Sequence, residues 1–145
     1  MSDGAAPGTP RRFERVPRTE RDDSSTTIAR AKLADSLEGI EAFLGHAVAG
    51  GRAAFTRNSP AYASGSMVVI RAAALFELRE FNALLGDVPA EVVDAIRTIR
   101  NIAAHGGYRA MNDDVFWTTL TVHLPPYLEQ WRAAVQPDAE PPTGT

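Results

Sequence analysis

Residues 112–131 read NDDVFWTTLTVHLPPYLEQW, and the apolar positions Phe116, Leu120, Leu124, Leu128 and Trp131 recur through them every three or four residues. That spacing marks one buried stripe along an α-helix, with Asn112 or Asp113 as its N-cap. A strand would alternate apolar and polar side chains, and no convincing alternation of that kind occurs in the chain. Pro125-Pro126 removes two amide donors from the ladder. The spacing therefore predicts a helix kinked or split at the prolines whose apolar face nonetheless continues.

Upstream, Val92, Ile96, Ile99 and Ala103 mark another helix, opened by Asp87-Val88-Pro89 and stopped by Gly106-Gly107. Asn58-Ser59-Pro60 supplies a cap and a proline for the first helical position of a run that reaches Leu85 and closes at Gly86. Apolar residues lie nearly all round this run between Met67 and Phe76, so it is expected to be the central, most buried element. The triplet VVI at 68–70 resembles a strand only in isolation. A first helix is expected from Ser25 or Thr26, with Leu33, Leu37, Ile40, Leu44 and Ala47 as its stripe and Gly50-Gly51 as its end. These elements predict an all-α fold, a bundle of four to five helices with a kinked last helix and no internal repeat.

Residues 1–24, with three prolines and a mixed-charge run, are expected to form a disordered tail, as is PDAEPPTGT at 137–145. The helical domain is thus expected over 25–136. A chain of 145 residues with 44% apolar side chains suits one domain with one core. It has no run of about 20 apolar residues for a membrane span. Its first residues, MSDGAAPGTPRR, lack the apolar stretch of a leader, so a cytoplasmic location is expected. The absence of cysteine excludes disulfides, cysteine-held metals and thiol nucleophiles. Histidine, carboxylates, arginine and hydroxyls remain to carry any chemistry. The net charge of −3 argues against bulk coating of nucleic acid but leaves room for a local basic site. Fourteen of the fifteen basic residues are arginine, a bias that genome composition explains as readily as phosphate binding.

One stretch, IRTIRNIAAHGGYRAMNDD at 96–114, gathers two arginines, an amide, a histidine, two glycines and a tyrosine around one helix end. Arg97, Asn101 and His105 follow at four-residue spacing on a face distinct from the apolar stripe. An imidazole in the last turn is suited to giving or accepting a proton near neutral pH. Asn101 lies one turn below His105, placed to orient the ring or a phosphate. Arg100 precedes His105 by five residues and so lies well round the helix. Its side chain must wrap toward the histidine or meet one from another subunit.

Elsewhere, His46 and His123 have no motif around them and read as structural or solvated. Arg71 and Arg79 flank Phe76 and are read either as phosphate contacts or as ion-pair partners of Glu77 or Glu80. Asp113-Asp114 stands where acids complement a helix dipole, and Trp117 and Trp131 read as core or interface anchors. No His-Glu-x-x-His or similar ligand cluster occurs, so neither metal nor cofactor is expected.

The text RNIAAHGGY at 100–108, followed by NDDVFWTTLTVHLPPYLEQW, resembles the C-terminal half of the HepT-like toxins of the HEPN superfamily. Their motif is Arg-Asn-x-x-x-His-x-Tyr, followed by a helix containing a Leu-Pro pair. Arg100, Asn101 and His105 match the motif, and Leu124-Pro125 matches the pair. The likeness extends more weakly to Val-Ile-Arg at 69–71 and to an amphipathic helix like 28–48, covering about 29–135 in all. One departure stands out, because His105-Gly106-Gly107-Tyr108 is one residue longer than the usual His-x-Tyr.

The resemblance implies a HEPN-type bundle and a metal-independent endoribonuclease toxin of a toxin–antitoxin or phage-defence pair. It also implies a homodimer in which two motifs face each other across a composite RNA cleft. Arg100, His105 and Asn101 would be the catalytic set, with Arg97 and Arg71 touching RNA. A nucleotidyltransferase antitoxin would be the partner, and Tyr108 the candidate for modification with AMP. The same superfamily includes non-catalytic modules that dimerise or bind a nucleotidyltransferase, which is the alternative expectation.

Overall fold

The computed structural model describes residues 18–105 and 108–136, all-helical and without a strand among them. The first helix, α1 (Arg18–Val48), starts seven residues before the expected cap. Residues 18–24 therefore belong to a helix and not to a tail. No glycine or proline falls between Arg18 and Gly39 to stop it. The hydroxyl of Thr27 donates to the carbonyl of Asp23 at 2.9 Å, so this polar run is satisfied on the helix instead of capping it. The rest of the expected tail, 1–17, lies outside the described residues, as does 137–145. The α1 helix ends where expected, and Gly51 adopts φ +77°, a region that favours glycine.

The second helix, α2 (Pro60–Leu75), opens on Ser59, whose Oγ accepts from the Tyr62 amide at 3.1 Å, and includes the 68–70 triplet. The expected continuation to Leu85 is replaced by an elbow. After Leu75 the amides of Phe76, Glu77 and Leu78 reach back only three residues. A 3₁₀ turn at Arg79–Phe81 and a one-turn helix, α3 (Asn82–Leu85), then leave at 85° to α2. The elbow buries Phe81 and Leu85. It also brings the Leu85 carbonyl to Trp131, whose Nε1 donates at 3.0 Å. A contact 46 residues away thus decides a break that local propensity does not show.

Helix α4 (Ala90–Ala104) buries Ile96, Ile99 and Ala103, with Val92 half-buried. The last rod comprises α5 (Asp113–Thr118), a π-helical turn (Thr119–His123) and α6 (Leu124–Ala134). Asn112 is its cap, accepting from the amides of Asp114 and Val115 at 3.1 Å each. The expected kink takes the form of this widened turn, placed just ahead of the prolines. Four residues of α-helix sweep about 400°, so a stripe at four-residue spacing drifts about 40° per step. A wider turn removes that drift. Pro125 would also press on the carbonyl of Thr121 in a regular α-helix. Thr119 and Thr121 back-bond to carbonyls four residues earlier at 2.8 Å, which further loosens the ladder. All five stripe residues are consequently buried.

Helix α2 packs against both α1 and α4, and α6 against α1 and α3, which gives a helical bundle. At its centre Phe55, from the link between α1 and α2, stacks against Tyr62, Phe116 and Trp117 with ring centroids 4.9, 5.0 and 5.2 Å away. A Cβ at Gly65 would stand 2.9 Å from both Phe55 and Leu120, so that glycine admits the ring. The rim is polar. Tyr62 Oη donates to Asp113 at 2.8 Å, Arg57 pairs with Asp113 at 3.6 Å, and Arg52 pairs with Asp114 at 2.8 Å. Burial, aided by the Asp113 carboxylate, pushes the Tyr62 phenol up to about 12.

Two outcomes are expected from these contacts. Gly65→Ala destabilises by about 1–3 kcal/mol despite alanine's better helix propensity, because Phe55 and Leu120 are fully buried and have no room to yield. Gly45→Ala, with open space around it, stabilises by up to about 1 kcal/mol. Urea unfolding of both variants compares the signs. The raised Tyr62 pKa means that the unfolded chain releases this proton near pH 10 while the folded chain still holds it. That contribution is whole below pH 10 and is lost as the pH rises toward 12, by on the order of 2–3 kcal/mol. Stability measured from pH 9 to 12 should fall less steeply in Tyr62→Phe than in the parent.

Candidate functional site

The end of α4 carries the residues singled out above. His105 is its C-cap, with φ −102° and ψ 13° and its amide bonded to the Asn101 carbonyl at 3.2 Å. Its ring is exposed and makes no hydrogen bond or ion pair with the described residues. Asn101 is also exposed, and its Oδ1 accepts from Arg100 Nε at 2.7 Å. The amide therefore steadies Arg100, not the imidazole. With Nε engaged, the two terminal nitrogens of Arg100 have no partner among the described residues. They present the flat edge that matches two oxygens of a phosphate.

Five residues of α-helix separate Arg100 and His105 by about 140° round the axis. They do not bond to each other within the chain. The chain thus offers a half-buried arginine and an exposed imidazole on different aspects of one helix end.

The other expected contacts are placed elsewhere. Arg97 turns toward the end of α2, its Nε 3.7 Å from Glu77 Oε1, close enough for an ion pair but too long for a hydrogen bond. Its side chain nonetheless stays 40% exposed. Arg71 lies on the α1 side of α2, its guanidinium 5.0 Å from the centre of the Phe43 ring. Gly39 makes room for it, since a Cβ there would stand 2.7 Å from Arg71 Nη1. The question of Arg71 and Arg79 as ion-pair partners resolves against both, because Glu77 pairs with Arg97 and Glu80 with Lys32. Among the described residues no group of three His, Cys, Asp or Glu side chains is arranged to hold a metal.

Tyr108 opens a 3₁₀ turn, Tyr108–Ala110, after Gly106-Gly107, which lie outside the described residues. Its ring meets Tyr62 edge-on at 5.1 Å and its Oη lies 3.2 Å from Ser66 Oγ. Ser66 already donates to the Tyr62 carbonyl at 3.0 Å, so Tyr108 is the donor and Ser66 the acceptor. The phenol must leave Ser66 before a nucleotide can be joined to its oxygen. A shallow depression of about 420 Å³ beside it is lined by Asn58, Ser59, Pro60, Tyr62, Ala63 and Tyr108.

Ser66 and Tyr62 tie the chain just beyond His105 to α2, and both were absent from the site expected on sequence grounds. The only trace Ser66 leaves in the sequence is a hydroxyl within an apolar helical run. No family model, curated protein or solved structure matches the chain.

Proposed function

We propose that the chain is a metal-independent endoribonuclease of the HEPN type, the toxin of a toxin–antitoxin or phage-defence pair, acting in the cytoplasm as a homodimer. The observation that supports this best is the trio at the end of α4, with Asn101 and His105 exposed and Arg100 half-buried. Arg100 is held at Nε by Asn101 with its phosphate-matching edge free, and His105 stands unpaired at the same helix end. The resemblance of 100–108 to the HepT-like motif supplies the reaction class.

In this reading the 2′-hydroxyl of the RNA attacks the adjacent phosphorus and the 5′-oxygen leaves. His105 takes the proton from the attacking oxygen or gives one to the leaving oxygen. Arg100 stabilises the charge that grows on the phosphoryl oxygens, and Asn101 sets its orientation. A second copy supplies the histidine or arginine that the 140° separation keeps apart in one chain. Arg97 and Arg71, tied to Glu77 and Phe43, serve as outlying phosphate contacts. A nucleotidyltransferase antitoxin silences the site by adding AMP to Tyr108 or by covering it.

The alternative, a non-catalytic HEPN module that dimerises or binds a nucleotidyltransferase, draws support from the engaged Tyr108 phenol and the net negative charge. Cleavage separates the two. With a chelator present, the parent should cut RNA. His105→Ala should lower the rate by ~100- to 10,000-fold and Arg100→Ala by ~100- to 1,000-fold, with His46→Ala unchanged. An inactive parent, or a His105→Ala variant that cuts as well as the parent, leaves only the binding module. With the cognate nucleotidyltransferase and ATP, intact mass should rise by one or more AMP units in the parent but not in Tyr108→Phe. Neutralisation without any added mass would indicate occlusion instead.

A further inference from the structure

Between Asp114 and Glu129 the chain runs through fourteen residues, VFWTTLTVHLPPYL, with no Asp, Glu, Lys or Arg. Phe116, Leu120, Leu124 and Leu128 use one side of this rod for the core. A surface helix ordinarily carries charge on its opposite side. Here that side carries Val115 and Val122, 51% and 58% exposed, together with Pro126. Beside it, between α4 and the π turn, opens an apolar groove of about 240 Å³ lined by Glu91, Val92, Ala95, Thr119, His123 and Leu124.

We propose that this face is where a second copy of the chain docks, Val122 of each copy entering the groove of the other. Two features favour a copy over an unrelated partner. A two-fold contact needs one patch that carries both knob and hole, and Val122 adjoins His123, which lines the groove. The polar groups at the groove are likewise complementary. Glu91 stands on α4 and His123 on the facing rod, and neither has an ion pair or hydrogen bond to the described residues. Across a two-fold axis each imidazole meets Glu91 of the opposing copy, and its N–H donates to that carboxylate whether or not the ring is charged. The central valines with flanking polar pairs form an apolar centre inside a polar rim.

The groove lies on the N-terminal half of α4, where Ala95 is ten residues from His105, about 15 Å along the helix axis and about 80° round it. That a copy seated there also brings the two α4 ends together rests on the ribonuclease reading. The docking face itself rests only on surface chemistry.

Sedimentation velocity on the full chain tests it. The parent should be dimeric at about 10 μM, where an interface with a micromolar Kd is largely occupied. Val122→Glu should raise the Kd by ~30-fold or more while helical circular dichroism stays unchanged, since the side chain is mostly exposed. Glu91→Arg should weaken the dimer, and adding His123→Glu to it should restore it. If Val122→Glu loses its helical signal, this charge reversal carries the test alone. A parent that stays monomeric at about 100 μM, or a dimer indifferent to all three variants, overturns the proposal. RNA cleavage measured alongside keeps the two readings separate. A dimer that obeys these substitutions but cuts no RNA removes the ribonuclease and leaves the interface standing.

Discussion

Phe55 reaches the centre of the bundle only because position 65 has no side chain. The ring comes from a short link between α1 and α2, yet it touches Tyr62 on α2 and Phe116 and Trp117 on α5. Three parts of the chain are therefore registered against one side chain. Tyr62 carries the constraint outward, with its phenol on Asp113 at the start of α5 and its ring edge-on to Tyr108. The turn that follows His105 is thus hung from the same cluster that closes the core. Without that anchor, the histidine would terminate a helix whose continuation had no fixed path.

The anchored side and the chemical side of this helix end differ in character. Ser66 is buried and Tyr108 half-buried against it, and a hydrogen bond there is costly to leave unmade. Arg100 and Asn101 meet at the surface, where water competes for every donor and such contacts contribute little. The backbone at His105 is therefore well placed while the side chains that would act on a substrate are not. On the proposed reading, their final geometry is completed by what binds there, phosphate or a second helix end.

Much of the bundle was legible in the sequence because its signals are local. The cap at Ser59-Pro60, the cap at Asn112 and the stripe from Phe116 to Trp131 all take the expected roles. The elbow after Leu75 was not legible. Its cause is the meeting of Leu85 with Trp131, which no window of one or two turns contains. The early start of α1 escaped for a different reason, since Ser25 and Thr26 have the chemistry of caps and only the lack of any breaker upstream told otherwise. At the candidate site, the position of Arg100, Asn101 and His105 near one helix end followed from the stop signal at Gly106-Gly107, and their selection as a set from the resemblance. The diversion of Arg97 to Glu77 and of Arg71 to Phe43 did not, because each depends on which neighbouring helix supplies the nearer partner.

The π turn at Thr119–His123 makes chain length there matter more than composition. A regular α-helix would hold one residue fewer in that turn, and each residue is worth about 100° of rotation. The wide turn absorbs that extra residue, so removing one of the five would let the rod close into uniform α-helix with Leu124, Leu128 and Trp131 still on its buried side. Adding one would exceed what the turn takes up and swing everything after it by that angle. Trp131 would then lose Leu85, and the α2–α3 elbow would lose the donor that holds it. A shorter segment is thus read locally, whereas a longer one is read at the far end of the molecule.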